Sequence, residues 1–228
     1  MTAATIPPLL PGSPLSTRDL RSFTATAEKK ILIALAGRLP SWIGPDHLTA
    51  LGVISMAGAG LCYRLLAVSP LALLGVNLFL FLNWFGDSLD GTLARVRQKQ
   101  RPRYGFYVDH LVDAFGAIFL LGGLATAGLV TPYAALALLV AYLLLQIHIA
   151  LKAHTTRVFQ IAFGGIGGTE ARILLGIMNT VLVIWPGLQA VATPLCWTLA
   201  LGLTALVIVD GVRTGRALDR EERRLWSE

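Results

Sequence analysis

Six stretches of this chain are nearly free of charge and each runs to roughly 20 residues, the length that crosses the hydrocarbon core of a bilayer. They fall near 48–68, 70–90, 106–130, 132–152, 171–187 and 191–212. Inside a bilayer each backbone N–H and C=O must find a partner within the chain, so apolar runs of this length fold as helices. The expected fold class is all-α, a polytopic membrane bundle of six transmembrane helices. Composition agrees. Of the 228 residues 55% are hydrophobic and 14% charged, whereas about a quarter of a globular sequence is charged. That excludes an ordinary soluble domain.

The flanks read differently. Residues 1–27 are rich in Pro, Ser and Thr without periodicity, as expected of a flexible tail. They hold no apolar core with a cleavage site, so no signal peptide is expected. From 28 to 44, Lys29, Lys30 and Arg38 alternate with Ile31, Leu32, Leu35, Leu39 and Trp42. That pattern predicts an amphipathic helix lying in the membrane interface, broken by Pro40 and Pro45 before the first span. The six-helix domain then covers 45–213, and 214–228 reads as a basic tail. Cys62 and Cys196 both lie in apolar segments, which suggests neither a disulfide nor a metal site.

Eighteen of the nineteen Lys and Arg residues lie in the N-terminal arm, the second-to-third loop, the fourth-to-fifth connection or the tail. The turns near Pro70, Pro132 and 186–194 are short and almost uncharged. Arg64, the exception, sits near the opposite end, where a long side chain can reach the interface. Basic loops stay in the cytoplasm, so both termini and the basic loops are expected there, in the cell (inner) membrane. The net charge of +6 and pI near 9.7 are read as this loop charge, attracting anionic membrane lipids and not nucleic acid.

Acidic residues inside a span mark a functional site, and four gather at two adjoining helix ends. Asp87 and Asp90 stand three residues apart, Asp109 and Asp113 four, so each pair shares one helix face. Antiparallel second and third spans bring the pairs to one depth. Converging carboxylates repel unless a cation sits among them, and hard oxygen donors suit Mg²⁺ or Mn²⁺. Two such ions, roughly 4 Å apart, clamp a pyrophosphate in known two-metal sites. Gly91, Ala94 and Gly105 leave bare surface for a nucleotide or phosphate, and Arg95 offers a planar fork to phosphate.

The segment Asp87-x2-Asp90-Gly91-x2-Ala94-Arg95, a spacer, then Gly105-x3-Asp109-x3-Asp113 resembles the signature of the class I CDP-alcohol phosphatidyltransferase family. The six-span layout fits that family over nearly the whole chain. Nine residues separate Arg95 from Gly105, one more than is usual, and Pro102 stands where Ser or Thr is common. The resemblance implies an integral membrane enzyme of phospholipid synthesis. Asp87, Asp90 and Asp109 would ligate two Mg²⁺ or Mn²⁺ ions, and Asp113 would share that role and act as general base on the acceptor hydroxyl. Gly91, Ala94, Arg95 and Gly105 would hold the CDP moiety of a CDP-linked lipid donor, CDP-diacylglycerol in the favoured reading. A small alcohol would be the acceptor, CMP the leaving product and a homodimer the usual assembly. A soluble CDP-amino-alcohol with diacylglycerol as acceptor would use the same motif.

Further residues are expected around this core. Pro45, Asp46 and Thr49, in Gly44-Pro45-Asp46-His47-Leu48-Thr49, resemble a family segment bordering the nucleotide site; read alone, Asp46 is an N-cap. Lys152, Arg172 and Arg213 end three spans on the basic side, and similar positions bind the acceptor's phosphate in phosphatidylinositol-phosphate synthases. Asn83, one turn before Asp87, is expected either to orient that carboxylate or to bond a neighbouring helix. His110 points away from its flanking aspartates, and nothing assigns His148 or Asp210. The run Gly164-Gly165-Ile166-Gly167-Gly168 suggests a flexible loop. Two other functions compete. Intramembrane prenyltransferases of the UbiA type need more spans and a second aspartate motif, and a cation carrier would place its carboxylates at the bilayer midplane.

Overall fold

The computed structural model describes residues 17–19, 25–156, 158–160 and 167–226. Most of the expected tail, 1–27, and the glycine run up to 166 lie outside the described residues. Seven helices follow in order: α1 (Ala25–Arg38), α2 (Pro45–Arg64), α3 (Ala72–Val96), α4 (Pro102–Ala125), α5 (Pro132–Thr156), α6 (Gly168–Ile184) and α7 (Ala192–Trp226). A three-residue parallel pairing joins Thr17–Asp19 to Val158–Gln160. The protein is an all-α polytopic membrane protein. Among the described residues, five helical segments are long and apolar enough to cross a membrane: Pro45–Ala67, Ala72–Val96, Pro102–Ala125, Pro132–Thr156 and Pro186–Arg224. With 17 residues, α6 sits at the short end of a spanning length, about 26 Å at 1.5 Å per residue.

Prolines set the helix starts. Pro45, Pro102 and Pro132 each open a helix, where a fixed φ is favourable and the missing N–H costs nothing. The α3–α4 turn is short, and Gln98 takes a φ of 54° within it. The extra spacer residue and Pro102 are thereby absorbed into a turn and the first turn of α4. Two boundaries differ from expectation. The helix expected at 28–44 spans Ala25–Arg38, because Pro40 stops it early. The expected tail at 214–228 continues α7 as one helix to Trp226. At 35 residues α7 is about 52 Å long, well beyond the roughly 30 Å of a hydrocarbon core.

Helix α2 packs on both α3 and α4, α5 on α4 and α7, α6 on α3, and α1 on α3. Small residues allow the closest crossings, as expected where apolar lipid gives helices no hydrophobic reason to associate. A Cβ at Gly123 of α4 would lie 2.2 Å from the carbonyl oxygen of Gly60 in α2, and one at Gly60 would lie 2.1 Å from that of Phe119. A Cβ at Gly86 of α3 would lie 2.5 Å from the Leu48 carbonyl oxygen. These contacts fix α3 and α4 against α2. A buried polar chain ties the other half of the bundle. Tyr63 donates to Asn179 at 3.2 Å, Asn179 to Asn77 at 2.9 Å, and Asn77 to Thr180 and the Gly176 carbonyl at 3.0 Å. Helix α1 buries Leu32 and Ala36 against Leu48, Leu89 and Leu93.

Candidate active site

The aspartate-bearing end of α3 presents three adjacent faces to three neighbours. On one, Asn83 and Asp87 meet α6: Arg172 donates from Nε to Asn83 Oδ1 and from Nη2 to Asp87 Oδ2, both at 2.7 Å. On the second, Gly86 and Asp90 meet α2, where Thr49 donates its hydroxyl to Asp90 Oδ2 at 2.6 Å. The other Asp90 oxygen accepts from the Gly91 N–H. On the third, Trp84 and Ser88 meet Glu28 of α1. The i, i+4 repeat puts each pair one above the other. Asn83 also donates to the Gly52 carbonyl of α2 at 3.0 Å. It therefore bonds the neighbouring helix and reaches Asp87 only through Arg172.

Helix α4 brings the second pair. Asp113 is half-buried and lies within electrostatic reach of Asp87 on α3, Arg172 on α6 and Asp109 on its own helix. Asp90 likewise feels both Asp87 and Asp113. Asp109 is exposed one turn toward the helix start. Gln146 of α5, which the sequence did not single out, donates to Asp113 Oδ2 at 3.3 Å and to the Tyr142 hydroxyl at 2.9 Å. No motif marks Gln146; only its place in an otherwise apolar span could have drawn notice. His110 turns to its own helix, as expected, with Nδ1 2.8 Å from the Phe106 carbonyl oxygen.

Around the carboxylates the small residues are bare. A Cβ at Gly105 would meet nothing within 4 Å, and one at Gly91 would meet only the Arg95 guanidinium, at 3.6 Å. Ala94 is half-buried and Arg95 exposed, its Nη2 2.9 Å from the Thr92 hydroxyl. Pro45 opens α2, and its carbonyl accepts from Thr49 at 3.2 Å. Asp46 does not cap that helix. The N-cap is Gly44, whose N–H donates to His47 Nδ1 at 3.0 Å, while Asp46 pairs with Arg101. Arg97 donates to the carbonyls of Leu39, Pro40 and Ile43 and so holds the α1–α2 link.

The three cations expected around an acceptor phosphate lie on three helices, α5, α6 and α7, and differ in their partners. Arg172 is engaged with Asp87 and Asn83. Lys152 of α5 donates to Asp210 of α7 at 2.7 Å, and His148 contacts the same carboxylate oxygen at 2.8 Å. Arg213 is exposed farther along α7, lining a shallow cavity with Arg216, Asp219 and Arg220.

Among the described residues, no three His, Cys, Asp or Glu side chains close into a cage ready for a metal ion. The donor set is still the type that a hard divalent cation takes, carboxylate oxygens from α3 and α4, which both pack on α2. Asp90 and Asp113 each accept only neutral donors in the contacts described above, and Asp87 carries the one guanidinium. Comparison with protein-family models and with curated proteins found no match.

Proposed function

We propose that the chain transfers a substituted phosphate group from a CDP-linked donor, CDP-diacylglycerol in the favoured case, to an alcohol hydroxyl, releasing CMP. The observation that carries this reading is that Asp113 of α4 lies within electrostatic reach of Asp87 and Asp90 of α3 at one end of the bundle. Asp90 is joined there by Thr49 of α2, from the segment expected to border a nucleotide. The open surfaces at Gly91 and Gly105 support it further, since no packing contact requires glycine at Gly105.

In this reading Asp87, Asp90, Asp109 and Asp113 would hold two Mg²⁺ or Mn²⁺ ions. When bound, the ions would neutralise the pyrophosphate and the charge developing on the leaving oxygen. Gly91, Gly105 and Ala94 let the nucleotide approach the backbone, and exposed Arg95 offers its fork to a phosphate oxygen. Asp113 takes the proton of the acceptor hydroxyl. The acceptor oxygen bonds to the phosphorus carrying the lipid group, the P–O bond to CMP breaks, and CMP departs with that oxygen. Gln146 holds Asp113 in place through one amide hydrogen. We place the site on the cytoplasmic side of the cell membrane, where a water-soluble nucleotide product can leave.

The test uses purified protein with Mg²⁺ or Mn²⁺, CDP-diacylglycerol and a panel of alcohols, following CMP release. CMP should appear with at least one acceptor. Silence with every alcohol, and with CDP-amino-alcohols and diacylglycerol, would remove the reading.

A further inference from the structure

Glu28 of α1 is joined to two other helices by a single oxygen. Its Oε1 accepts from Trp84 Nε1 at 2.7 Å, from the Ser88 hydroxyl at 3.1 Å and from the Thr169 hydroxyl at 2.9 Å. Trp84 and Ser88 lie on α3, and Ser88 directly follows Asp87. Thr169 lies in the first turn of α6, three residues before Arg172. Hydrogen bonds to an ionised carboxylate are roughly twice as strong as those between neutral groups. Three of them on one half-buried oxygen tie three helices at the level of the aspartates.

We propose that Glu28 is a positioning residue for the candidate site, an inference that rests on the phosphate-transfer reading above. The Arg172–Asp87 contact depends on how α6 approaches α3, and Glu28 bonds both helices within one turn of that contact. The direct partners of Asp87 and Glu28 differ, so Glu28 acts by fixing the helices and touches no reacting atom. Leu32 and Ala36, one and two turns farther along α1, are buried against Leu48, Leu89 and Leu93 and seat the helix so that Glu28 reaches inward. The surface helix thereby becomes part of the site's frame.

The experiment compares wild type with Glu28→Ala and Glu28→Gln in detergent, reading CMP release and amide hydrogen exchange. Glu28→Ala should lower turnover by about 10-fold or more, the scale on which groups orienting metal ligands act, and Glu28→Gln should retain most of it because its carbonyl oxygen still accepts. Exchange should quicken at 84–92 and 167–172 in Glu28→Ala while 132–151 and 192–210 stay as in wild type. Trp84→Phe and Thr169→Val should each reproduce part of the loss and add little to Glu28→Ala. Unchanged exchange at 84–92 and 167–172, or wild-type turnover in Glu28→Ala, overturns the proposal while leaving the reaction intact. Wild-type silence toward every CDP-linked donor instead sinks the reaction, and with it any role for Glu28 in it.

Discussion

Arg172 holds Asp87 and Asn83 with one guanidinium, Nη2 to the carboxylate and Nε to the amide oxygen, each at 2.7 Å. Its two partners stand one turn apart on α3, so the planar fork reads a helix face, a geometry a lysine ammonium does not reproduce. Asn83 passes the link on to the Gly52 carbonyl of α2. One side chain of α6 is thus connected to α3 directly and to α2 through an amide.

Removing that side chain leaves a partly buried carboxylate unpaired. Arg172→Ala is expected to lower stability by about 1–3 kcal/mol, and Arg172→Lys to recover part of this through charge alone. In the proposed reaction, Arg172→Ala should cut turnover by about 10–100-fold and should not act on acceptor KM alone. Thermal unfolding in detergent and steady-state kinetics check both. A rise confined to acceptor KM would instead support the anion-pocket role expected from the sequence.

Asp113→Asn keeps the size of the side chain and removes its basicity. CMP release should fall by about 10²–10⁴-fold, while CDP binding by calorimetry stays within a few-fold of wild type. Appreciable turnover in Asp113→Asn would move the base elsewhere.

Chelation tests the cation directly. EDTA should abolish CMP release, and Mg²⁺ or Mn²⁺ should restore it, since four carboxylates cannot accept a pyrophosphate without positive charge between them. Turnover that persists in EDTA would dismiss the two-ion site.

Two glycines should part stability from activity. At Gly123 an added methyl meets the Gly60 backbone at 2.2 Å, so Gly123→Ala forces α2 and α4 apart and should cost about 1–3 kcal/mol. Gly105 faces open space in the first turn of α4, where alanine is the better helix former by up to about 1 kcal/mol. Gly105→Ala should therefore unfold no earlier than wild type yet bind the CDP donor more weakly. Thermal unfolding and donor KM distinguish the two.

The sequence by itself determined the elements and the grouping within each of them. A charge-free run long enough to cross a bilayer has to become a helix, because no water is present to satisfy its backbone. Spacings of three and four residues then keep Asp87 near Asp90, and Asp109 near Asp113, within about one turn of helix, although Asp87 faces α6 and Asp90 faces α2. Both are local consequences of helical geometry. The tertiary structure decided everything that passes between helices: Arg172 on Asp87, Gln146 on Asp113, Glu28 on Trp84 and Thr169, and Lys152 on Asp210. It also gave Asp46 to Arg101 instead of its own helix end and carried α7 straight through the expected tail. These partners lie far apart in the chain, and their pairing depends on crossings set where Gly60, Gly86 and Gly123 let backbones touch. No periodicity encodes that approach, since it belongs to two surfaces at once.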